Sequence, residues 1–207
     1  TEIYTLSLHD ALPISIHPTL LIAVFDDSGS VAGPSGNDPL SNRYGEVTRA
    51  FSVVARKGSR RELGAIVHFD TPSHGEVAPT PITRSGMIRL RAGLRPPTDG
   101  AGTSELGPSL GRAYEIAEAY PGHEATLVVL SDFQLFDRDP AGVLSRLAAF
   151  PGDVHAVVLG SRLPAGVLDQ RITVSSITHD SHPGAVAQAL FSRLVSRRPG
   201  SGAVAAT

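Results

Sequence analysis

The amino-acid sequence predicts a single α/β domain, because short apolar runs alternate along it with segments of helical periodicity. Four of the five clearest strand candidates are near-continuous runs of Val, Ile, Leu and Ala, which is typical of strands covered by helices on both faces. The chain of 207 residues has the length of one domain with short additions. We therefore predict a doubly wound, Rossmann-like domain with a mostly parallel central sheet, an antiparallel edge strand and helices on both faces.

The predicted core strands are residues 19–25, 63–69, 125–131, 153–159 and 172–177. A further segment, residues 76–83, contains Pro79 and Pro81. Because proline has no N–H to donate to a neighbouring strand, this segment is predicted to lie at the edge of the sheet.

Three predicted helices have apolar residues at spacings of three and four. Their apolar stripes are Val47, Ala50, Phe51 and Val54; Leu106, Leu110, Ala113, Ala117 and Tyr120; and Val186, Ala187, Leu190, Phe191, Leu194 and Val195. A fourth helix is predicted to start at Asp139, which precedes Pro140, and the last helix is predicted to cover residues 183–197.

The composition excludes several classes of protein. The 18 basic and 20 acidic residues leave a formal charge of -2, which creates no field that would attract a polyanion, so no nucleic acid partner is expected. No apolar run approaches the ~18 residues that span a bilayer, so no membrane span is expected. The lack of cysteine excludes disulfides and thiolate metal sites.

The two ends differ from the rest of the chain. Residues 1–15, TEIYTLSLHDALPIS, resemble translated read-through of a sequencing adapter, so we expect them to be a non-native extension. Residues 198–207 are small and interrupted by Pro and Gly, so we expect a disordered tail or a linker. The predicted domain is residues 16–197, and it is expected to belong to a larger chain or complex.

Three predicted loops at the carboxyl ends of strands carry oxygen-bearing side chains, and ligands bind at this edge in such sheets. The first loop reads DDSGS, with Asp26, Ser28 and Ser30 at alternate positions and a glycine that permits a tight turn. The second loop reads GAGTS and places Thr103 at the predicted start of a helix. The next buried strand ends at Asp132, which puts a carboxylate at the same edge.

This set of loops resembles the metal-ion-dependent adhesion site of von Willebrand factor type A domains, and the resemblance covers about residues 18–197. It implies that Asp26, Ser28, Ser30, Thr103 and Asp132 are metal ligands. The second loop departs from the family pattern by reading Gly-Ala-Gly-Thr instead of the common Gly-Gly-Thr. The resemblance also implies that the metal captures an Asp or Glu of a partner protein, and that the last helix can slide when the metal coordination changes.

The ligand chemistry agrees with this resemblance. Two carboxylates and three hydroxyls are hard oxygen donors, which favour Mg²⁺, with Mn²⁺ or Ca²⁺ as alternatives, over zinc or copper. Two carboxylates only neutralise a divalent cation, so it should stay electrophilic enough to accept an outside carboxylate. We therefore predict a metal-dependent binding module without catalysis, in which Gly29, Ser104 and Phe133 contact the partner. Phe133 stands where the family often has Gly, which bears on loop shape and partner choice.

Two alternatives stay open from the sequence. Asp26 and Asp27 resemble the strand end of haloacid dehalogenase-like phosphohydrolases, which need Mg²⁺, but those enzymes have an Asp where Ser28 stands. A metal-free structural domain would instead use Asp26 and Ser30 to cap backbone groups and Thr103 to cap its helix. The one GxSxG match, GPSLG at residues 107–111, falls within a predicted helix and not at a strand-to-helix turn, so a serine hydrolase has no support. No GxxxxGK[ST] or GxGxxG pattern is present, so the usual phosphate-cradling loops have none either.

Other polar residues carry weaker signals. The eight His side chains, including His68 within the second strand, are expected to be satisfied or solvated and not metal ligands. The Pro- and Gly-rich insertion at residues 31–42 is expected either to shape recognition or to be a passive surface loop. Four arginines are expected to form a solvated face or, alternatively, a docking surface for an acidic partner. They are Arg84, Arg89, Arg91 and Arg95.

Overall fold

The computed structural model describes residues 18–38, 42–57, 60–69, 75–95, 102–160, 163, 166–178 and 180–196, with side chains except at 57 and 191–196. The predicted extension at residues 1–15 and the predicted tail at residues 198–207 lie outside this part of the chain.

Six strands form one sheet in the order β3-β2-β1-β4-β5-β6. They are β1 (Thr19–Phe25), β2 (Glu62–His68), β3 (Val77–Pro81), β4 (Glu124–Ser131), β5 (Asp153–Leu159) and β6 (Thr173–Ile177). Every neighbouring pair is parallel except β2 with β3, so the prediction of a mostly parallel sheet with an antiparallel edge strand is confirmed. The two prolines of β3 are tolerated because this strand lies at the edge.

Six helices accompany the sheet in the described part of the chain. They are α1 (Gly29–Ala32), α2 (Asn42–Lys57), α3 (Gly86–Gly93), α4 (Gly107–Ala119), α5 (Pro140–Ala148) and α6 (Ala185–Ser196). The predicted start of α5 is confirmed, since the Asp139 side chain accepts a hydrogen bond from Gly142 N at 3.0 Å. The sequence analysis did not predict α3. No helix in the described part of the chain is both long and apolar enough to cross a bilayer.

Different helices cover the two faces of the sheet, because side chains alternate along each strand. On β1, Leu20 and Ile22 belong to the apolar core under α4 and α5. Leu21 and Ala23 belong to the core under α2, α3 and α6. The predicted arrangement of helices on both faces is therefore confirmed.

The strand order places a crevice at the carboxyl ends of β1 and β4. The chain leaves β1 towards β2 on one side, whereas β4 lies on the other side, so β1 and β4 flank the topological switch point. Phe25 at the end of β1 pairs with Leu130 near the end of β4, and Asp26 N donates to Leu130 O at 3.0 Å. The first and third predicted loops therefore start side by side.

Candidate metal centre

Asp26 lies directly after β1 and is fully buried. Its Oδ1 accepts a hydrogen bond from Ser28 N at 2.9 Å, and its Oδ2 accepts one from the Ser131 hydroxyl. Burial raises the pKa of the Asp26 carboxyl, and the nearby negative charge of Asp132 also raises it, while the hydrogen bonds from Ser131 and Ser28 oppose the rise. The two carboxylates are thus close enough to repel each other, which a cation between them would relieve.

The three predicted hydroxyl ligands lie on two loops that are joined by backbone contacts. The Ser28 and Ser30 hydroxyl oxygens are 3.1 Å apart. Ser28 forms an isolated parallel bridge with Gly102, whose N–H donates to Asp27 O at 3.2 Å. Thr103 follows immediately and is exposed. The structure therefore brings the first and second predicted loops together.

Asp132 is also buried, and a residue that the sequence analysis missed contacts it. Asp132 Oδ1 accepts a hydrogen bond from Gln134 N at 3.0 Å. Asp132 Oδ2 accepts one from the side-chain amide of Asn37 at 3.2 Å. Asn37 belongs to the insertion at residues 31–42 and lies against Gly160. A Cβ atom at position 160 would be only 1.9 Å from Asn37 Oδ1, so a larger residue would not fit. Gly160 has a φ of 87°, which also favours glycine. The insertion therefore supports the third loop.

A cleft of about 490 Å³ opens over these loops. Ser28, Ser30 and Thr103 line it, whereas the buried Asp26 and Asp132, which directly follow β1 and β4, are not among its lining residues. The remaining lining residues are Gly29, Gly102, Ser104, Glu105 and Phe136. Phe136 is 76% exposed at this cleft, and the sequence analysis missed it because a single aromatic residue in a polar loop carries no pattern.

The three residues predicted to contact a partner have different environments. Gly29 is exposed, with open space around the position of a Cβ. Ser104 is buried, and its carbonyl oxygen accepts from Phe136 N at 2.8 Å. Phe133 is buried in the core under α4 and α5. It has a φ of 56°, a left-handed conformation that explains why glycine is common at such a position.

Thr103 does not lie at the start of a helix, contrary to the prediction, because α4 begins four residues later at Gly107. The first turn of α4 is instead bound by Asp137, which follows the third loop. Its carboxylate accepts hydrogen bonds from Leu106 N at 2.9 Å and Gly107 N at 2.7 Å. Asp137 therefore joins the second and third loops, and Thr103 is left exposed beside the cleft.

Replacing Asp137 with Ala should lower the free energy of unfolding by about 1–2 kcal/mol, because two N–H groups of α4 lose their acceptor. Urea denaturation followed by circular dichroism would measure the change. Asp169→Ala is the matched control, since Asp169 pairs with Arg171 on the exposed surface and should contribute much less. Equal midpoints for wild type and Asp137→Ala would show that the carboxylate does not stabilise α4.

Behind the first loop, Asp27 lies in a buried charge network that the sequence analysis did not predict. Its Oδ1 accepts hydrogen bonds from Arg43 Nη2 at 2.7 Å and from the Tyr44 hydroxyl. Burial raises the pKa of Tyr44, so the phenol stays protonated and can donate. Arg43 is 1% exposed, and its Nη1 also donates to Asp38 Oδ2 at 2.7 Å. One buried guanidinium thus compensates two carboxylates.

His68 completes this network from the end of β2. Its Nδ1 lies 2.7 Å from Asp27 Oδ2, and its Nε2 lies 3.0 Å from the carbonyl oxygen of Gly93 at the end of α3. Each ring nitrogen of His68 therefore has a polar partner within hydrogen-bond distance, so this buried side chain is satisfied, as the sequence analysis expected.

The start of α6 is held by a side chain of α2. Glu46 Oε1 accepts from Gly184 N at 2.9 Å, and Glu46 Oε2 accepts from Val186 N at 2.8 Å and Ala187 N at 3.1 Å. The predicted last helix therefore begins at Ala185, two residues after Pro183. A slide of α6 along its axis, as the resemblance implies, would have to break these three hydrogen bonds.

The donor set at the cleft fits a hard divalent cation. It consists of two carboxylates and three hydroxyls, whereas zinc and copper sites are typically rich in imidazole or thiolate. Among the described residues, no group of three or more His, Cys, Asp or Glu side chains could hold a metal ion, so a metal site in this part of the chain has to include hydroxyl ligands, as the set at the cleft does. The site at the ends of β1 and β4 is therefore the candidate metal centre.

No protein-family model matches the sequence, and no curated protein matches it. Solved structures do match the fold. A von Willebrand factor type A protein from Catenulispora acidiphila has a TM-score of 0.61 at 15% identity, over 88% of this chain and 43% of that one. The pilus adhesin SpaC from Lactobacillus rhamnosus GG has a TM-score of 0.64 at 11% identity, over 87% of this chain and 30% of that one.

A third similar structure is proximal thread matrix protein 1 from the mussel byssus with a zinc-occupied metal-ion-dependent adhesion site. Its TM-score is 0.58 at 17% identity, over 89% of this chain and 49% of that one. The chain thus spans less than half the length of each of these three proteins. With the sheet order, the antiparallel edge strand and the helices on both faces, these matches show that the chain has the von Willebrand factor type A fold.

Proposed function

We propose that this protein is a divalent-metal-dependent binding module that captures an Asp or Glu side chain of a partner protein. The observation that carries the proposal is the pair of buried carboxylates, Asp26 and Asp132, which follow two adjacent strands at the switch point of the sheet, next to loops whose hydroxyls line a cleft. Asp26, Ser28, Ser30, Thr103 and Asp132 would hold the cation. When bound, Mg²⁺ would supply an electrophilic position that a carboxylate can occupy.

The charge of the site favours binding of an outside carboxylate. Asp26 and Asp132 together balance the charge of one divalent cation, and Ser28, Ser30 and Thr103 add none. A third, external carboxylate can therefore bind the cation, in a cleft that it shares with the Glu105 carboxylate, 3.5 Å from the Thr103 hydroxyl. Two of the similar structures agree with this role, because one is described as a pilus adhesin and another as having a zinc-occupied adhesion site.

The rim of the cleft suggests what else the partner presents. Gly29 leaves open space on one side, and the exposed ring of Phe136 lies on another. Burial of an aromatic ring adds substantial apolar contact area, so a partner with an apolar residue beside its acidic residue would gain affinity. Phe136→Ser should weaken partner binding while leaving the metal affinity unchanged.

Calorimetric titration of the 207-residue chain with Mg²⁺, Mn²⁺ and Ca²⁺ tests the metal centre. We expect saturable binding of one ion per chain, and we expect Asp132→Ala to abolish it. Heats that do not saturate, or unchanged binding in Asp132→Ala, would contradict the ligand assignment.

Display of random peptides that carry one fixed central Glu tests carboxylate capture. Peptides selected in Mg²⁺ should be released by a chelator, and their Glu→Gln versions should not bind. Equal binding of the Gln versions would contradict the proposal. A phosphatase assay with p-nitrophenyl phosphate and Mg²⁺ tests the haloacid dehalogenase-like alternative, for which turnover that is lost in Asp26→Asn would be required.

A further inference from the structure

The short helix α3 and its flanks have an uncompensated positive charge. Four arginines are exposed there, and among the described residues no carboxylate lies within ion-pair distance of any of them. They are Arg84, Arg89, Arg91 and Arg95. Between Glu76 and Asp99 the sequence contains no Asp or Glu. This concentration of charge contrasts with the net charge of -2 for the whole chain.

An exposed apolar residue lies among these arginines. Ile88 is 76% exposed and lies three residues before Arg91, so the two share one side of α3. Arg84 and Arg95 lie just before and just after the helix, and Arg89 is also exposed on it. The other side of α3 is fixed to the protein by Leu90, which is fully buried. The exposed side of α3 and its two flanks, which we call the α3 face, therefore carries four arginines around Ile88.

We propose that the α3 face is a second docking surface, which binds an acidic protein segment independently of the metal. The four guanidinium groups complement carboxylates in charge and can bind them through paired hydrogen bonds. Ile88 complements an apolar residue within the same segment. An eight-residue helix is about 12 Å long, so the face matches a segment of a few residues.

An acidic protein segment fits this face better than other anionic partners. A membrane surface requires a wide apolar face, whereas Ile88 is the one large apolar side chain that α3 exposes. A nucleic acid backbone would pair with the arginines through phosphates but would leave Ile88 without an apolar contact. Only an acidic segment with an apolar residue satisfies both features of the α3 face.

Fluorescence anisotropy with a labelled twelve-residue peptide of glutamates around a central leucine tests the proposal. The titration is done with the full chain in excess chelator, so its result does not depend on the metal centre proposed above. We expect saturable binding that weakens as the salt concentration rises, because the arginines are exposed. A matched peptide with Gln in place of Glu should not bind.

Two sets of variants locate the surface. Arg84→Glu combined with Arg91→Glu should weaken peptide binding about tenfold or more, since two attractive contacts become repulsive. Arg49→Glu combined with Arg60→Glu makes the same change of charge on other exposed arginines, and it should change the affinity less than twofold. Ile88→Ser should weaken binding about threefold without a change in the circular dichroism spectrum.

Three results would overturn the proposal. The first is no binding of the glutamate peptide to the wild-type chain. The second is an equal loss of affinity in the control variant, which would mean that only the net charge matters. The third is tighter binding of a twelve-nucleotide uridine RNA, or of vesicles containing phosphatidylserine, than of the peptide under the same conditions.

Discussion

Replacing Asp26 with Asn should lower the affinity for Mg²⁺ by more than about 100-fold while leaving the unfolding free energy of the chelated protein unchanged or raised. Asn removes the buried charge whose desolvation raises the pKa of Asp26, so the folded state loses an unfavourable contribution. Its amide oxygen can still accept the hydrogen bond from Ser28 N. Function and stability are thus expected to respond in opposite directions, as is common where a site is built from strained or buried groups.

Calorimetry measures the affinity, and thermal unfolding with and without Mg²⁺ measures the linked stabilisation. Mg²⁺ should raise the melting temperature of the wild type and have no effect on Asp26→Asn. Glu118→Gln is the matched control, because Glu118 is an exposed carboxylate of α4 that does not line the cleft. A loss in Glu118→Gln as large as that in Asp26→Asn would indicate a non-specific effect of charge and would contradict the ligand assignment.

Replacing Arg43 with Met should lower the free energy of unfolding by about 3–5 kcal/mol, because the buried carboxylate of Asp27 would lose its guanidinium. Asp38 would lose its partner as well. Met retains most of the length and apolar volume of the arginine stem, so the loss reports on charge and hydrogen bonding more than on packing. Denaturation with urea, followed by circular dichroism, measures the change.

Arg49→Met is the control for this prediction, since Arg49 lies on the same helix but is exposed, and it should have little effect. Combining Arg43→Met with Asp27→Asn should cost less than the sum of the two single changes, because the second change removes the charge that the first leaves unpaired. A loss below about 1 kcal/mol in Arg43→Met would show that the network does not stabilise the fold.

The strands and the site carboxylates could be predicted because their signals are local. The run Thr19–Phe25 is apolar throughout, as a strand covered on both faces must be, and its predicted bounds agree with β1. Asp26 and Asp132 directly follow such runs, so the parallel sheet alone places them at one edge. Pro79 and Pro81 identified the edge strand because proline has no N–H to donate to a second neighbouring strand.

The parts that could not be predicted depend on contacts between distant residues. Arg43 has the same sequence signature as an exposed helical arginine, and only the fold buries it against Asp27. Asn37 supports the third loop by donating to Asp132, which is 95 residues away in the sequence. Asp137 binds the backbone N–H groups of Leu106 and Gly107, which are 31 and 30 residues away. The helix α3 has eight residues and glycine at both ends, so it has too few turns to show a clear apolar period.

The network around Asp27 has a consequence for how the protein would respond to its ion. The shape of the first loop is maintained by bonds between protein groups, among them Arg43 Nη2 to Asp26 O and Gly102 N to Asp27 O. In small zinc domains, by contrast, the metal itself supplies the folding free energy, and a chelator unfolds them. Here a chelator should remove the ion from a domain that stays folded. Under the proposed function, changes in free Mg²⁺ would then turn partner capture on and off repeatedly, without exposing the chain to aggregation or proteolysis.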